Sequence, residues 1–291
     1  MRAENNPEVS VVIPTHNRAP ILRECLDSVL AQSFESYEVV VVNDASTDAT
    51  RQILKRYQQT HGGRIQVARG SYGAPGLTRN AGAARASGRY LLFTDDDCRA
   101  PRQWIESMLQ TLRQTGADAL CGGFEAHRLK TPAERYQYWR MRALFRDTPK
   151  WVRAAPVINF LVPARIFNEA GGFPPYPWES LEDWAFCFRL NEAGYRIFYD
   201  PAVKVTHRYK PTWRPVYRAL RDTARRGPDL CQTRMSRAAM GAKAVVKYAS
   251  APLWIPWVFP WDLYGRAVYA EHIFFWSRMR ALFMKRAPRQ R

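Results

Sequence analysis

The chain has 291 residues, 46% of them hydrophobic and 13% aromatic, and a net charge of +18. That length and apolar content exclude a disordered chain and allow one large α/β domain, or a domain with an appendage. The five cysteines (Cys25, Cys98, Cys121, Cys187 and Cys231) are odd in number, widely spaced and never in a CxxC pair, which argues against a disulfide framework or a zinc module and for a reducing compartment.

Charge is unevenly spread. Residues 1–120 hold 14 Lys+Arg against 13 Asp+Glu, whereas residues 209–291 hold 17 against 4. A basic tail on a near-neutral body implies an anionic partner, either nucleic acid or acidic lipid headgroups. The opening MRAENNPEVS carries acids and no apolar run, so it does not read as a signal peptide.

Val9 to Ile13 predicts a first strand, broken by Pro14 and followed by the loop Thr15-His16-Asn17-Arg18. From Pro20 to Gln32, apolar residues recur at helical spacing. Tyr37 to Val42 is apolar throughout, as buried parallel strands are. It stops at Asn43-Asp44, and a helix over Ala49 to Gln59 follows, with Ser46 or Thr47 as the expected cap. Ile65 to Val67 is a weak third strand. A Gly-rich loop and a helix near Leu77 to Ala86 precede the fourth, Tyr90 to Phe93. Strands alternating with helices at crossover spacing predict a parallel sheet.

The fourth strand ends in three consecutive carboxylates, Asp95, Asp96 and Asp97. Such neighbours raise one another's pKa, and a hard divalent cation, Mg²⁺ or Mn²⁺, relieves the conflict. Strand periodicity puts Asp95 and Asp97 on the same side and points Asp96 away. The alternative is a solvated acidic turn. In a parallel sheet, Thr15 to Arg18, Asn43-Asp44 and Asp95 to Asp97 would meet along one edge, a set that suits a nucleoside diphosphate. Neither G-x-G-x-x-G nor G-x-x-x-x-G-K-[ST] occurs, so phosphate handling falls to the cation and to Arg18 or Arg79.

Three blocks, VSVVIPTHNR, VVVVNDASTD and GLTRNAGAARASGRYLLFTDDD, together resemble the nucleotide-sugar half of family-2 glycosyltransferases, which have the GT-A fold. The resemblance implies an α/β, Rossmann-like, mostly parallel sheet flanked by helices. It implies that Pro14, Thr15 and Arg18 line the nucleotide pocket, that Asp44 contacts the base (commonly uracil), and that Arg79 and Asn80 flank the diphosphate. Asp95, Asp96 and Asp97 would form the D-x-D element, with Asp97 the direct metal ligand. Asn43 stands where the family often has a second Asp, and Ala45 where it often has Gly. Each residue also has a plainer role open to it. Asp44 could be a turn or cap residue preceding a helix, Arg79 could sit on a solvated helix face, Asn80 could cap a helix, and His16 could be an ordinary loop histidine.

Further along, Trp104 to Thr115 predicts an amphipathic helix and Ala119 to Phe124 a strand. Residues 125–153 are aromatic and basic without a defined pattern. Asn159 to Val162 reads as a strand, and Ala185 to Ala193 as a helix closed by Gly194. Glu182 and Asp183 fall at its N-terminus, where a carboxylate is kept ionised or simply caps the helix. The block from Gly171 to His207 resembles the acceptor side of the same family. There the Asp of an Glu-Asp pair is the general base, which maps onto Asp183, with Glu182 orienting the acceptor or an arginine. The reaction so implied is inverting transfer from a nucleoside-diphosphate sugar, UDP-linked by preference, to a hydroxyl of a glycan or lipid-linked acceptor. His207, after the strand Val203 to Thr206, would complete the metal shell alongside Asp97 and Asp95, or be structural. A nucleotidyltransferase of similar fold and a non-catalytic sugar-nucleotide-binding protein are the competing readings.

Arg214, Arg218, Arg221 and Arg225 recur at helical spacing and predict a basic face. Residues 248–261, YASAPLWIPWVFPW, are uncharged but too short and Pro-broken to span a bilayer, which needs about 20 apolar residues. Tryptophans beside a basic face suit the headgroup layer, and no nucleic-acid motif is present. The expected organisation is a catalytic domain over 1–208, divided at residue 100 into donor and acceptor sides, and a helical extension over 209–291. That extension would attach the protein peripherally to the cytoplasmic face of the membrane, form a homodimer contact, or pack on the catalytic domain.

Overall fold

The computed structural model describes residues 6–175 and 181–230 and Ala270, the side chains of 225–230 excepted. Two compact units result: one from Met1–His127, Asp147–Trp178 and Glu182–Arg208, the other from Arg128–Arg146, Glu179–Leu181 and Tyr209–Arg291. Residues 128–146, expected on the acceptor side of the catalytic domain, therefore group with the C-terminal segment.

The first unit opens with β1 (Val9–Thr15), α1 (Ala19–Leu30), β2 (Tyr37–Asp44), α2 (Thr50–Thr60), β3 (Ile65–Gly70), α3 (Pro75–Ala83) and β4 (Tyr90–Thr94). It continues with β5 (Cys98–Arg99), α4 (Trp104–Thr115) and β6 (Ala119–Ala126). In the second unit lies α5 (Pro132–Leu144). Then come β7 (Lys150–Val152), β8 (Asn159–Pro163), α6 (Ala164–Glu169), α7 (Glu182–Glu192) and β9 (Ile197–His207), all in the first unit, and finally α8 (Trp213–Leu230) in the second.

One nine-stranded sheet runs β3-β2-β1-β4-β8-β6-β9-β5, with β7 beside β9. The pairs β3–β2, β2–β1, β1–β4 and β6–β9 are parallel; β8, β5 and β7 run against their neighbours. The sheet is thus mostly parallel, with an antiparallel seam at β8. Every residue of β2 is buried, which explains its unbroken apolar run. Alternate residues serve opposite faces. Val9, Val11, Ile13, Val39 and Val41 pack with Leu22 and Leu26 of α1, Ile53 of α2 and Trp104 of α4. Val40 and Val42 face the other way, towards Ala81 of α3. There Gly82 permits close approach, since a Cβ on it would lie 2.5 Å from Val12.

Strand order reverses between β1 and β4, because β2 and β3 lie on one side of β1 and β4 on the other. Pro14 does not break β1, which runs on to Thr15 beside β2. Its pairing with β4 nevertheless ends at Val12↔Phe93. Beyond that point the two strands part, and their carboxyl ends frame the crevice where open α/β sheets bind ligands.

Asn159 holds the far half of the sheet together. Its amide donates to Gly123 O at 2.9 Å and Val203 O at 2.8 Å, and its Oδ1 accepts from the Trp104 indole at 2.8 Å. These bonds tie β8 to the irregularity in the β6–β9 pairing at Gly122/Gly123.

In the second unit, the Thr131 hydroxyl and Glu134 carboxylate form a reciprocal capping box that starts α5. Tyr136 lies against Trp213, and the Gln137 amide donates to Lys210 O at 2.8 Å. Val216, Leu220 and Ala224 form the buried stripe of α8, while Arg214, Arg218 and Arg221 are exposed on it. The expected basic face is present for these three; the Arg225 side chain and the tryptophan-rich segment 248–261 lie outside the described residues.

Candidate active site

Three loops meet at the carboxyl ends of β1, β2 and β4, as the sequence predicts. After β1, Asn17 adopts φ 53° and gathers the second loop: its Oδ1 accepts from Thr47 N at 2.8 Å, and its own N–H donates to Ser46 Oγ at 3.0 Å. His16 Nδ1 sits 2.5 Å from Asp44 O. The expected caps at Ser46 or Thr47 are absent, and Asp48 does that work. Its carboxylate accepts from Thr50 N at 3.0 Å and from Ala19 N at 3.1 Å, serving the starts of α2 and α1 together.

Ala45 adopts φ 51°, in the left-handed region where a Cβ costs roughly 1 kcal/mol. The frequent glycine at this place in the family has a backbone reason. Ala45→Gly is expected to stabilise the chain slightly, by a few tenths to about 1 kcal/mol, read as a melting temperature raised by 1–3 °C or so.

Asp44 is nearly buried and accepts from Tyr72 N at 2.5 Å, Gly73 N at 3.0 Å and the Thr78 hydroxyl at 3.1 Å. It pins the loop after β3. Asn80 was expected beside a diphosphate, but it lies within α3, where its amide pairs with Phe173 in both directions: Phe173 N to Oδ1 and Nδ2 to Phe173 O, each 2.9 Å. It is a clamp on the turn Gly171-Gly172-Phe173, not a cap.

Strand β4 ends at Thr94, and the three carboxylates occupy a turn closed by Cys98 N to Asp95 O at 3.1 Å. The alternation expected of a continuing strand is therefore lost. Asp95 turns towards Arg79, 2.6 Å away, while Asp96 and Asp97 each lie 3.4 Å from the Arg18 guanidinium. Burial first, then the neighbouring Asp97, pushes Asp96 up to about 7 against the opposing pull of Arg18.

Arg79 is the centre of the arrangement. It is 4% exposed, and its second terminal nitrogen reaches Glu182 at 2.9 Å, with the guanidinium over the Phe173 ring. A solvated helix face is thereby excluded. One cation joins the end of β4 to the first turn of α7, where Asp183 follows Glu182. Asp183 is half-buried and accepts from Trp184 N at 2.8 Å. Desolvation, reinforced by Glu182, pushes its carboxyl up to about 8, with the Trp184 amide and Arg79 pulling the other way.

On the other side of the turn, His207 Nε2 stands 3.3 Å from Asp97 Oδ1. His207 and Cys98 are register partners across β9 and β5. Ligand atoms of Asp97, Cys98 and His207 all lie within 4.8 Å of one another. Of the expected metal set, Asp97 and His207 come together, whereas Asp95 is taken by Arg79. Cys98 was missed: single cysteines carry no motif, and only the cross-strand pairing shows its position. Pro14 and Thr15 border the crevice from β1.

Two groups of solved structures share this fold. Mannosyltransferase PcManGT from Pyrobaculum calidifontis, in complex with GDP-Man and Mn²⁺, superposes with a TM-score of 0.66 at 18% identity, covering 96% of this chain and 88% of that one. S. aureus TarS 1–349 with UDP-GlcNAc gives 0.58 at 19%, covering 94% and 90%. The architecture is that of the GT-A glycosyltransferases. The profile of Glycosyl transferase family 2 matches residues 10–173, and the chain belongs to that family. Glycosyltransferase AglE of Haloferax volcanii is 31% identical over 214 residues, 70% of this chain and 68% of that protein. Poly(ribitol-phosphate) beta-N-acetylglucosaminyltransferase TarS of Staphylococcus aureus is 32% identical over 113 residues, 38% of this chain and 20% of that protein.

Proposed function

We propose that this glycosyltransferase moves a sugar from a nucleoside-diphosphate donor, a UDP-sugar by preference, to a hydroxyl of a glycan or lipid-linked acceptor, with inversion at the anomeric carbon. The observation that carries this reading is the Arg79 bridge. Through Asp95 and Glu182 it ties the carboxylate turn at the switch point to the first turn of α7, where Asp183 follows Glu182.

Pro14, Thr15, Arg18 and Asp44 form the nucleotide side, with Asp44 holding the Tyr72-Gly73 loop in place. Asp97 supplies a carboxylate oxygen of the kind that holds Mg²⁺ or Mn²⁺, with the His207 imidazole nitrogen beside it as a second donor to a divalent cation. When bound, such a cation neutralises charge on the departing diphosphate. Asp183, in its ionised form, takes the proton of the acceptor hydroxyl as that oxygen attacks C1 from the face opposite the leaving group. Glu182, fixed by Arg79, keeps the first turn of α7 in register for that transfer.

Relatives named as poly(ribitol-phosphate) glucosyl- and N-acetylglucosaminyltransferases and as a putative teichuronic acid biosynthesis glycosyltransferase favour a surface polysaccharide as the product. The unit that contains α5 and α8 holds 23 Lys+Arg against 6 Asp+Glu, nearly all the net charge of the chain. Among the described residues no helix is long and apolar enough to cross a membrane. Attachment to an anionic leaflet through the Arg214, Arg218 and Arg221 face, on the cytoplasmic side, accounts for that charge. In flotation with acidic liposomes the triple Glu variant at these positions should stay in the bottom fraction while wild type floats; equal flotation would refute the attachment.

The catalytic reading is tested with UDP-sugar turnover in the presence and absence of Mn²⁺. Asp97→Ala is expected to lose Mn²⁺-dependent donor binding and about 10²-fold or more of turnover. An Asp97→Ala enzyme with unchanged metal response would sink the assignment.

A further inference from the structure

The oxygen and nitrogen donors of Asp97 and His207 have a sulfur beside them. Cys98 is 2% exposed and carries a free thiol. As the register partner of His207 it presents its side chain to the same face of the β5–β9 pair, at the short Cβ spacing of directly opposed residues. Asp97 precedes it in the chain, and Asp97 O accepts from Arg208 N at 3.1 Å. Main-chain pairing on both sides of His207 thus brings the three side chains together.

We propose that Cys98 is a ligand of this cation site and that the site takes a thiophilic divalent ion, Zn²⁺ or Cd²⁺, in competition with Mg²⁺ or Mn²⁺. This rests on the reading of Asp97 and His207 as cation ligands. An oxygen, imidazole and thiolate set is a zinc set, whereas oxygen-rich sites select magnesium or manganese. The three atoms, all within 4.8 Å of one another, need close by only about 1 Å to reach tetrahedral spacing around an ion held at roughly 2.0–2.3 Å. Three protein ligands leave one position for water or a donor oxygen. On ligation the Cys98 thiol gives its proton to solvent, and the sulfur binds as thiolate.

The test titrates full-length, EDTA-treated protein with CdCl₂ and reads the ultraviolet thiolate-to-cadmium charge-transfer band, with Mn²⁺ binding followed by electron paramagnetic resonance. Wild type is expected to show the band, saturating at one Cd²⁺ per chain, and to release bound Mn²⁺ as it grows. Cys98→Ser should lose the band and bind Cd²⁺ about tenfold or more weakly, while still binding Mn²⁺. Should that variant not fold, Cys98→Ala serves in its place, with the same loss of the band and about tenfold loss of Cd²⁺ affinity expected. If Cd²⁺ binds wild type without the band, or the band survives in Cys98→Ser, the thiol is not a ligand. In those cases Mn²⁺ binding that is lost in Asp97→Ala leaves the cation site itself standing. If wild type binds neither ion, both the thiol ligand and the cation site are refuted.

Discussion

Asp183→Asn is expected to lower kcat by about 10³-fold, the scale of general-base catalysis, while donor binding stays near the wild-type value. The same substitution should make the protein more stable at neutral and alkaline pH. The carboxyl of Asp183 is pushed up to about 8 by desolvation and by Glu182, whereas an unfolded chain titrates it near 3.9. Between those values the folded state binds a proton that the unfolded state does not. Wild-type stability contributed by this group is therefore fully present below about pH 4 and is lost as pH rises through 8. Asparagine keeps the shape and carries no such dependence. Metal-free Asp183→Asn should melt several °C above wild type at pH 8, a gain on the order of 1–3 kcal/mol, and the two should converge near pH 4.5. A melting difference independent of pH would show that Asp183 is not the raised group. In turnover, kcat/KM for the donor should climb with pH until about 8 and then level, because only the ionised form accepts a proton.

Much of this site can be read in the residues because each piece is local. An apolar run that stops at a polar group marks a strand end, and in a parallel sheet all such ends share an edge. That logic placed Thr15 to Arg18, Asn43-Asp44 and the three aspartates together, and Glu182–Asp183 at a helix start. What escaped it depends on contacts between distant segments. Periodicity put Asp95 and Asp97 on one side, but the strand stops at Thr94 and the turn sends them apart. Arg79 and Asn80 were expected at the diphosphate. Nothing in their immediate neighbours tells that Glu182, 103 residues on, receives the one, or that Phe173, 93 residues on, receives the other. Cys98 and the grouping of residues 128–146 with the C-terminal segment were invisible for the same reason.

Removing Arg79 should have the largest effect on stability. Its guanidinium is buried between Asp95 and Glu182, whose side chains are 24% and 10% exposed, and both partners hold it firmly protonated. In Arg79→Ala two carboxylates face each other across a desolvated gap, and breaking a buried ion pair from one side costs about 3–5 kcal/mol. A melting temperature lower by roughly 10 °C is expected for a chain of this size. Lysine should rescue only part, since a single ammonium cannot reach both carboxylates as the planar fork does. The bridge also draws the Asp183 carboxyl downward, so its loss should carry the ascending limb of kcat/KM to higher pH in whatever fraction remains folded. A simple diphosphate contact makes the opposite forecast. It would raise the donor KM and leave both the melting temperature and the pH limb where they were. Measuring all three on Arg79→Ala and Arg79→Lys separates an internal strut joining the two acidic segments from a donor ligand.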